Sequence, residues 1–84
     1  MIRVQLIGYI RTALGKSELE IKEEIRVAEL LQIISSMPHQ GHLSLDPTST
    51  LITVNEIDIS ILDKEETLLR SGDKVTLIPV THGG

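Results

Sequence analysis

Ile2, Val4 and Leu6 alternate with Arg3 and Gln5, the two-residue period of a half-buried strand, and the run continues towards Ile10. Leu14-Gly15-Lys16-Ser17 reads as a turn, after which Leu19 and Ile21 alternate with Glu18, Glu20 and Lys22. Strand, turn and strand at this spacing predict a hairpin. The period lengthens after Ile25. Val27, Leu30, Leu31 and Ile34 fall at i, i+3, i+4 and i+7, one face of a helix, with Ala28, Glu29 and Gln32 on its outer side. Pro38 ends the pattern, because it has no N–H to donate and its ring clashes with the preceding turn. Arg26 stands where Ser, Thr or Asp would cap the start, so no capping side chain is predicted there.

Residues 39–50 are the least regular part of the chain: His39-Gln40-Gly41-His42 is polar and Asp46-Pro47-Thr48 is a turn signal. Leu51-Ile52-Thr53-Val54 predicts a short β-branched strand ended by Asn55-Glu56, and Ile57, Ile59 and Ile61 alternate with Asp58 and Ser60 as a short fourth strand. Lys64 to Arg70 is either a loop or one helical turn, and Ser71-Gly72-Asp73 is a turn. Lys74 to Val80 predicts a strong last strand, with Val75 and Leu77 on one face and Thr76 and Ile78 on the other. That strand is apolar over most of its length, which suits a central position in a mixed sheet. The order ββαβ(β)β, with one helix to cover one sheet, predicts an α+β domain of two layers over residues 1–80, followed by a flexible tail at 81–84.

With 84 residues the chain makes one domain, and 40% hydrophobic content, nearly all Ile, Leu and Val, supplies its core. Tyr9 is the sole aromatic residue, which argues against base stacking on single-stranded nucleic acid. The net charge of −4 argues against direct nucleic-acid binding and suits a partner with a basic groove. With no cysteine, the chain has no disulfide and no thiol nucleophile, so any sulfur chemistry draws its sulfur from another protein. Arg3 and Arg11 bracket an N-terminal apolar stretch too short for a secretory signal, and no run approaches a membrane span, so the expected compartment is the cytoplasm.

The ordered part offers little catalytic equipment. Gly15-Lys16-Ser17 lacks the longer glycine-rich approach of a phosphate loop and reads as a turn. His39 and His42, without a cysteine or a third ligand, read as surface-loop residues rather than a metal site, and no bound cofactor is expected. The chemistry is concentrated in the last residues. Gly83-Gly84 follows the last strand almost directly, and glycine's freedom lets such a tail thread a channel too narrow for other residues. The reactive group it offers is the Gly84 carboxylate. Thr81 and His82 are the candidate recognition residues of that tail; His82 is either an exposed, freely titrating side chain or a specificity contact inside a partner's channel. On the sheet face away from the helix, Ile7, Tyr9, Ile78 and Val80 form a candidate partner patch. The alternative is that Ile7 or Tyr9 completes the core after a bulge near Gly8.

These residues resemble the ubiquitin-like, β-grasp sulfur carriers and modifiers over nearly the whole chain. Met1-Ile2-Arg3-Val4 through Arg11 and Leu14-Gly15 are similar to the small subunit of molybdopterin synthase. So are Val54-Asn55, Leu69, Gly72-Asp73-Lys74-Val75, Ile78-Pro79-Val80 and Gly83-Gly84. Thr81-His82-Gly83-Gly84 and Asn55-Glu56-Ile57-Asp58 look more like the eukaryotic ubiquitin-related modifier, and small archaeal modifier proteins combine both sets. The resemblance implies a β-grasp fold and a chain that is a substrate rather than an enzyme. An E1-like adenylating enzyme would use ATP and magnesium on the Gly84 carboxylate, and a sulfurtransferase would then give a thiocarboxylate. That group would serve a tRNA-thiolation enzyme, or the activated carbonyl would join a lysine of a target protein. In the synthase alternative it would enter the large subunit and pass sulfur to a pterin precursor. The family also places an apolar partner contact at the positions of Ile7 and Ile78. His82 departs from the small residue usual before Gly-Gly in synthase subunits, and Pro79 departs from the pure modifiers. A plain β-grasp interaction domain with an incidental Gly-Gly end is the remaining reading.

Overall fold

The alternation of the N-terminal and C-terminal apolar segments meets in the middle of one sheet. The computed structural model describes residues 1–80. In chain order the strands are β1 (Ile2–Leu6), β2 (Glu18–Ile21), β3 (Ile25–Arg26), β4 (Thr50–Val54), β5 (Ile57–Asp58), β6 (Leu68–Leu69) and β7 (Lys74–Pro79). The helices are α1 (Tyr9–Leu14) and α2 (Val27–Ser35), and Ile59–Ile61 and Lys64–Glu66 are single 3-10 turns. Five strands form a mixed sheet in the order β2-β1-β7-β4-β5, while β3 and β6 pair separately. β7 is central, parallel to β1 and antiparallel to β4, as its apolar length predicts.

The register sorts every rung onto one of two faces. Val4 and Leu6 pair with Val75 and Leu77, and Ile52 and Val54 pair with Leu77 and Val75 from the other side. All six are buried, in one core cluster with Val27, Leu30, Leu31 and Ile34 of α2. The helical periodicity and the strand alternation thus meet in a single apolar layer, where each fully buried Leu or Ile contributes roughly 1.5–3 kcal/mol. The layers, the mixed sheet and the one main helix are those of an α+β β-grasp fold.

The start of α2 is held without a capping side chain from Arg26. Instead the Arg26 N–H donates to Glu29 Oε1 at 3.0 Å, which satisfies one donor and puts a carboxylate at the positive end of the helix. The Val27 N–H donates to the Thr67 carbonyl, and Arg26 Nη1 donates to the Glu66 carbonyl at 2.6 Å, which ties α2 to the segment before β6.

Three local expectations are corrected. The first strand stops at Leu6 instead of running towards Ile10: Gly8 has φ 62° and ψ −138°, a conformation nearly reserved for glycine, and Tyr9–Leu14 then forms a helix with Ile10, Ala13 and Leu14 buried. The fourth strand covers Ile57–Asp58 alone. The Asp58 carboxylate accepts the Ser60 N–H at 2.9 Å and starts a 3-10 turn, so Ile59 is buried while Ile57 and Ile61 are exposed. Lys64 to Arg70 contains both a helical turn and the short strand β6, whose Leu69 is buried against Ile25.

Candidate functional site

The outer face of the sheet grades from charged to apolar along β7. Its first rung pairs Arg3 with Lys74. The next outer rung joins Gln5, Thr76 and Thr53, all half-buried. The last sets Ile78 beside Leu51, with Ile7 continuing β1 through its N–H to the Leu77 carbonyl at 3.1 Å. Leu6, Leu77 and Ile52 fill the rung facing the core, so Ile7, Ile78 and Leu51 lie on the opposite side of the pleat. Ile7 is 40% exposed. Glu18 and Glu20 on β2, and Asp58 on β5, flank this face, and Arg3 pairs with Glu18 at 3.5 Å. An apolar rung with carboxylates at both flanks fits a partner surface of opposite charge.

The chain leaves the sheet at this apolar end. Pro79 stands opposite Thr50, and just past β7 the Val80 N–H donates to the Ser49 carbonyl at 2.9 Å. A Cβ on Gly8 would come within 2.8 Å of Pro79 Cγ, so the absence of a side chain there lets the turn into α1 close against the end of β7. Val80 is 45% exposed.

Of the four expected patch residues, Ile7 and Ile78 share a rung and Val80 follows them at the strand end. Tyr9 is set apart: it opens α1, and its hydroxyl donates to the Ser44 carbonyl at 2.7 Å, which anchors the loop before β4. Its ring also lines a shallow groove with Thr12, Gln40 and His42. Leu51 belongs to the rung although it was not expected there. Its alternation with Ile52 was readable, but its register against Ile78 was not. Gly83, Gly84, His82 and Thr81 lie outside the described residues.

The opposite end of the sheet is polar and cross-braced. Asn55 Nδ2 donates to Asp73 Oδ1 at 3.0 Å, the Arg70 N–H donates to Asp73 Oδ2 at 2.8 Å, and the Lys74 N–H donates to Asn55 Oδ1 at 3.0 Å. Asn55 and Glu56 have φ of 52° and 72°, the left-handed pair of a two-residue hairpin turn. Gly72, at φ 95°, donates its N–H to the Met1 carbonyl. Val54-Asn55 and Gly72-Asp73-Lys74, distant in sequence, are therefore one structural bracket. Among the described residues no group of three or more His, Asp or Glu is arranged to hold a metal ion. Nor is any helix there long and apolar enough to cross a membrane. His39 and His42 lie in the loop after α2, where His39 Nδ1–H donates to the Met37 carbonyl.

A family model, described as the ThiS family, matches residues 4–84. A comparison with curated protein sequences finds no match. Among solved structures, the chain is similar to small archaeal modifier protein 1 of Methanosarcina acetivorans, with a TM-score of 0.76 and 24% identity over 99% of this chain and 95% of that one. It is similar to Urm1 of Sulfolobus solfataricus, with a TM-score of 0.71 and 23% identity over 93% and 99%. A third likeness is to a chain in the complex of subunits 1 and 2 of the molybdopterin-converting factor of Helicobacter pylori. There the TM-score is 0.63 and identity 23%, over 99% of this chain and 97% of that one.

Proposed function

The chain belongs to the ThiS family, the ubiquitin-like β-grasp sulfur carriers and modifiers, and from that premise we propose that Gly84 carries its reactive group. The observation that supports this most is that the family match runs through Gly83-Gly84, while the last strand ends a few residues earlier beside an exposed apolar rung. A carboxylate is ionised at neutral pH and is a poor electrophile. A partner of the E1-like class, holding ATP and magnesium, converts it to an acyl adenylate by attack of a carboxylate oxygen on the α-phosphorus, with pyrophosphate leaving. AMP is then a good leaving group. A sulfur nucleophile from a sulfurtransferase displaces it on the way to a thiocarboxylate, which serves tRNA thiolation. A lysine amine of a target protein displaces it to give an isopeptide bond. The chain itself supplies no cysteine, so it acts as carrier rather than catalyst, in the cytoplasm.

In this reading Ile7, Ile78 and Leu51 dock on the partner, Glu18, Glu20 and Asp58 steer it, and Thr81 and His82 are read in the channel that leads to the nucleotide. Tyr9 serves the docking end indirectly, by holding the loop that carries Ser44. ATP–pyrophosphate exchange by a cognate activating enzyme tests the proposal. The exchange should require this chain and vanish when Gly84 is deleted; exchange that survives the deletion contradicts it.

The complex of the two molybdopterin-converting-factor subunits supports a second reading, in which the thiocarboxylate enters a larger subunit and gives its sulfur to a pterin precursor. Stable co-purification with a pterin-binding subunit favours this reading. Lysine-linked remnants of the tail on cellular proteins favour the modifier.

A further inference from the structure

β4 is paired along its whole length with β7, but β5 covers its other edge at Thr53 and Val54 alone. The chain turns away at Ile59, so among the described residues Thr50 to Ile52 have no registered strand beside them on that side. A groove of about 320 Å³ runs along this edge, lined by Thr50, Leu51, Ile52, Ile59 and Val80, with Lys64 and Glu65. Thr50 is 4% exposed, and its Oγ1 is buried with no hydrogen-bond partner among the described residues. That hydroxyl is closed off from the groove, so the edge offers a partner its main chain and the apolar side chains beside it.

Main-chain groups and an apolar trough together are what an added strand requires. The occupant is decided by charge. Asp58 also lines the groove, so two carboxylates outweigh the single ammonium of Lys64, on a chain of net charge −4. A second copy would bring the same acidic edge against itself, which costs free energy where like charges face each other. We propose that the β4 edge is a docking site for an extended basic segment of a partner protein. The segment adds a strand beside Thr50–Ile52, seats alternate apolar side chains against Ile59 and Val80, and turns its lysines or arginines to Asp58 and Glu65. This site lies on the edge of the sheet; it shares Leu51 with the outer rung but not Ile7 or Ile78, and it does not use Gly84.

The test uses the full chain labelled with nitrogen-15 and an acetylated peptide of alternating valine and lysine, about six residues long. Expected are amide shifts confined to residues 50–52, 58–65 and Val80, and slowed hydrogen exchange at Thr50 and Ile52. Val80→Ser removes a half-exposed apolar contact at the end of the trough and should weaken the peptide about fivefold. Glu65→Lys should weaken the valine–lysine peptide and strengthen a valine–glutamate one. The proposal is overturned by shifts centred on Ile7 and Ile78, by an affinity indifferent to both substitutions, or by no binding at all. Dimerisation through β4 would assign the edge to a second copy, and tighter peptide binding after removal of residues 81–84 would assign it to the chain's own end; either result also overturns the proposal.

Discussion

The central strand β7 has two ends built on opposite principles. At Lys74 it begins inside a polar bracket, where Asn55 and Asp73 hold each other, Arg70 and Lys74 through hydrogen bonds of 2.8–3.0 Å. At Pro79 it finishes among exposed apolar side chains, against a glycine with no room for a Cβ, on one backbone hydrogen bond from Val80 to Ser49. Both ends carry residues that the sequence reading singles out. The first end uses its residues on itself, since the donors and acceptors of the bracket are matched to one another. The second leaves Ile7 and Val80 partly uncovered. One strand can therefore use its polar residues for folding at one end and leave apolar residues uncovered at the other, and satisfied hydrogen bonds tell the two apart.

Substitutions at the two ends should separate stability from activity. The largest effect is expected from Gly8→Ala. The backbone there occupies a region nearly closed to other residues and the new Cβ meets Pro79 Cγ, so a loss of about 3 kcal/mol is expected in urea unfolding, together with slower activation by the partner enzyme. If Gly8→Ala is neutral in both assays, the close approach does not shape the exit of the chain. Asp73→Ala comes next. It removes the acceptor of both Asn55 and Arg70 and should cost about 2 kcal/mol, while activation of the folded fraction is unchanged. A selective loss of activation in this variant would erase the contrast between the ends. Ile7→Ser should behave in the reverse way. Its stability should stay within about 0.5 kcal/mol, as for most exposed positions, while partner affinity falls by about 1 kcal/mol, or about fivefold, by titration.

The smallest effect is expected at Asp46, in the loop leading to β4. The N–H and then the hydroxyl of Thr48 donate to its carboxylate and hold its pKa below the ordinary value. A pKa lowered in the folded state stabilises the fold above the unfolded-state pKa, and that contribution disappears as pH falls through the folded-state value. Acid unfolding of Asp46→Asn should therefore show a slightly flatter limb at low pH than the wild type. An unchanged limb would show that this loop contributes nothing to the exit end.

Much of this was readable in the chain. Alternation placed β1 and β7, a β-branched run placed β4, the 3.6-residue period placed α2, and the apolar length of β7 placed it at the centre. α1 was hidden because Ile10 continues the even-numbered alternation of Ile2, Val4 and Leu6 as well as it starts a helix. The six residues of that helix are also too few to show a period of their own. Ile57, Ile59 and Ile61 misled for a related reason: an Asp58 side-chain hydrogen bond, invisible to hydropathy, turns the chain after two residues. Pairing between distant segments was beyond local pattern as well. Leu51 joined the outer rung through the register of β4 on β7.

The central claim is that the Gly84 carboxylate is the group this protein carries. Intact mass spectrometry, after incubation with a cognate activating enzyme, ATP, magnesium and a sulfur donor, tests it most directly. The predicted result is a mass gain equal to replacing one oxygen by sulfur, localised to the C-terminal peptide and abolished by deleting Gly83-Gly84. An unchanged mass, or a gain that persists after the deletion, would contradict the account.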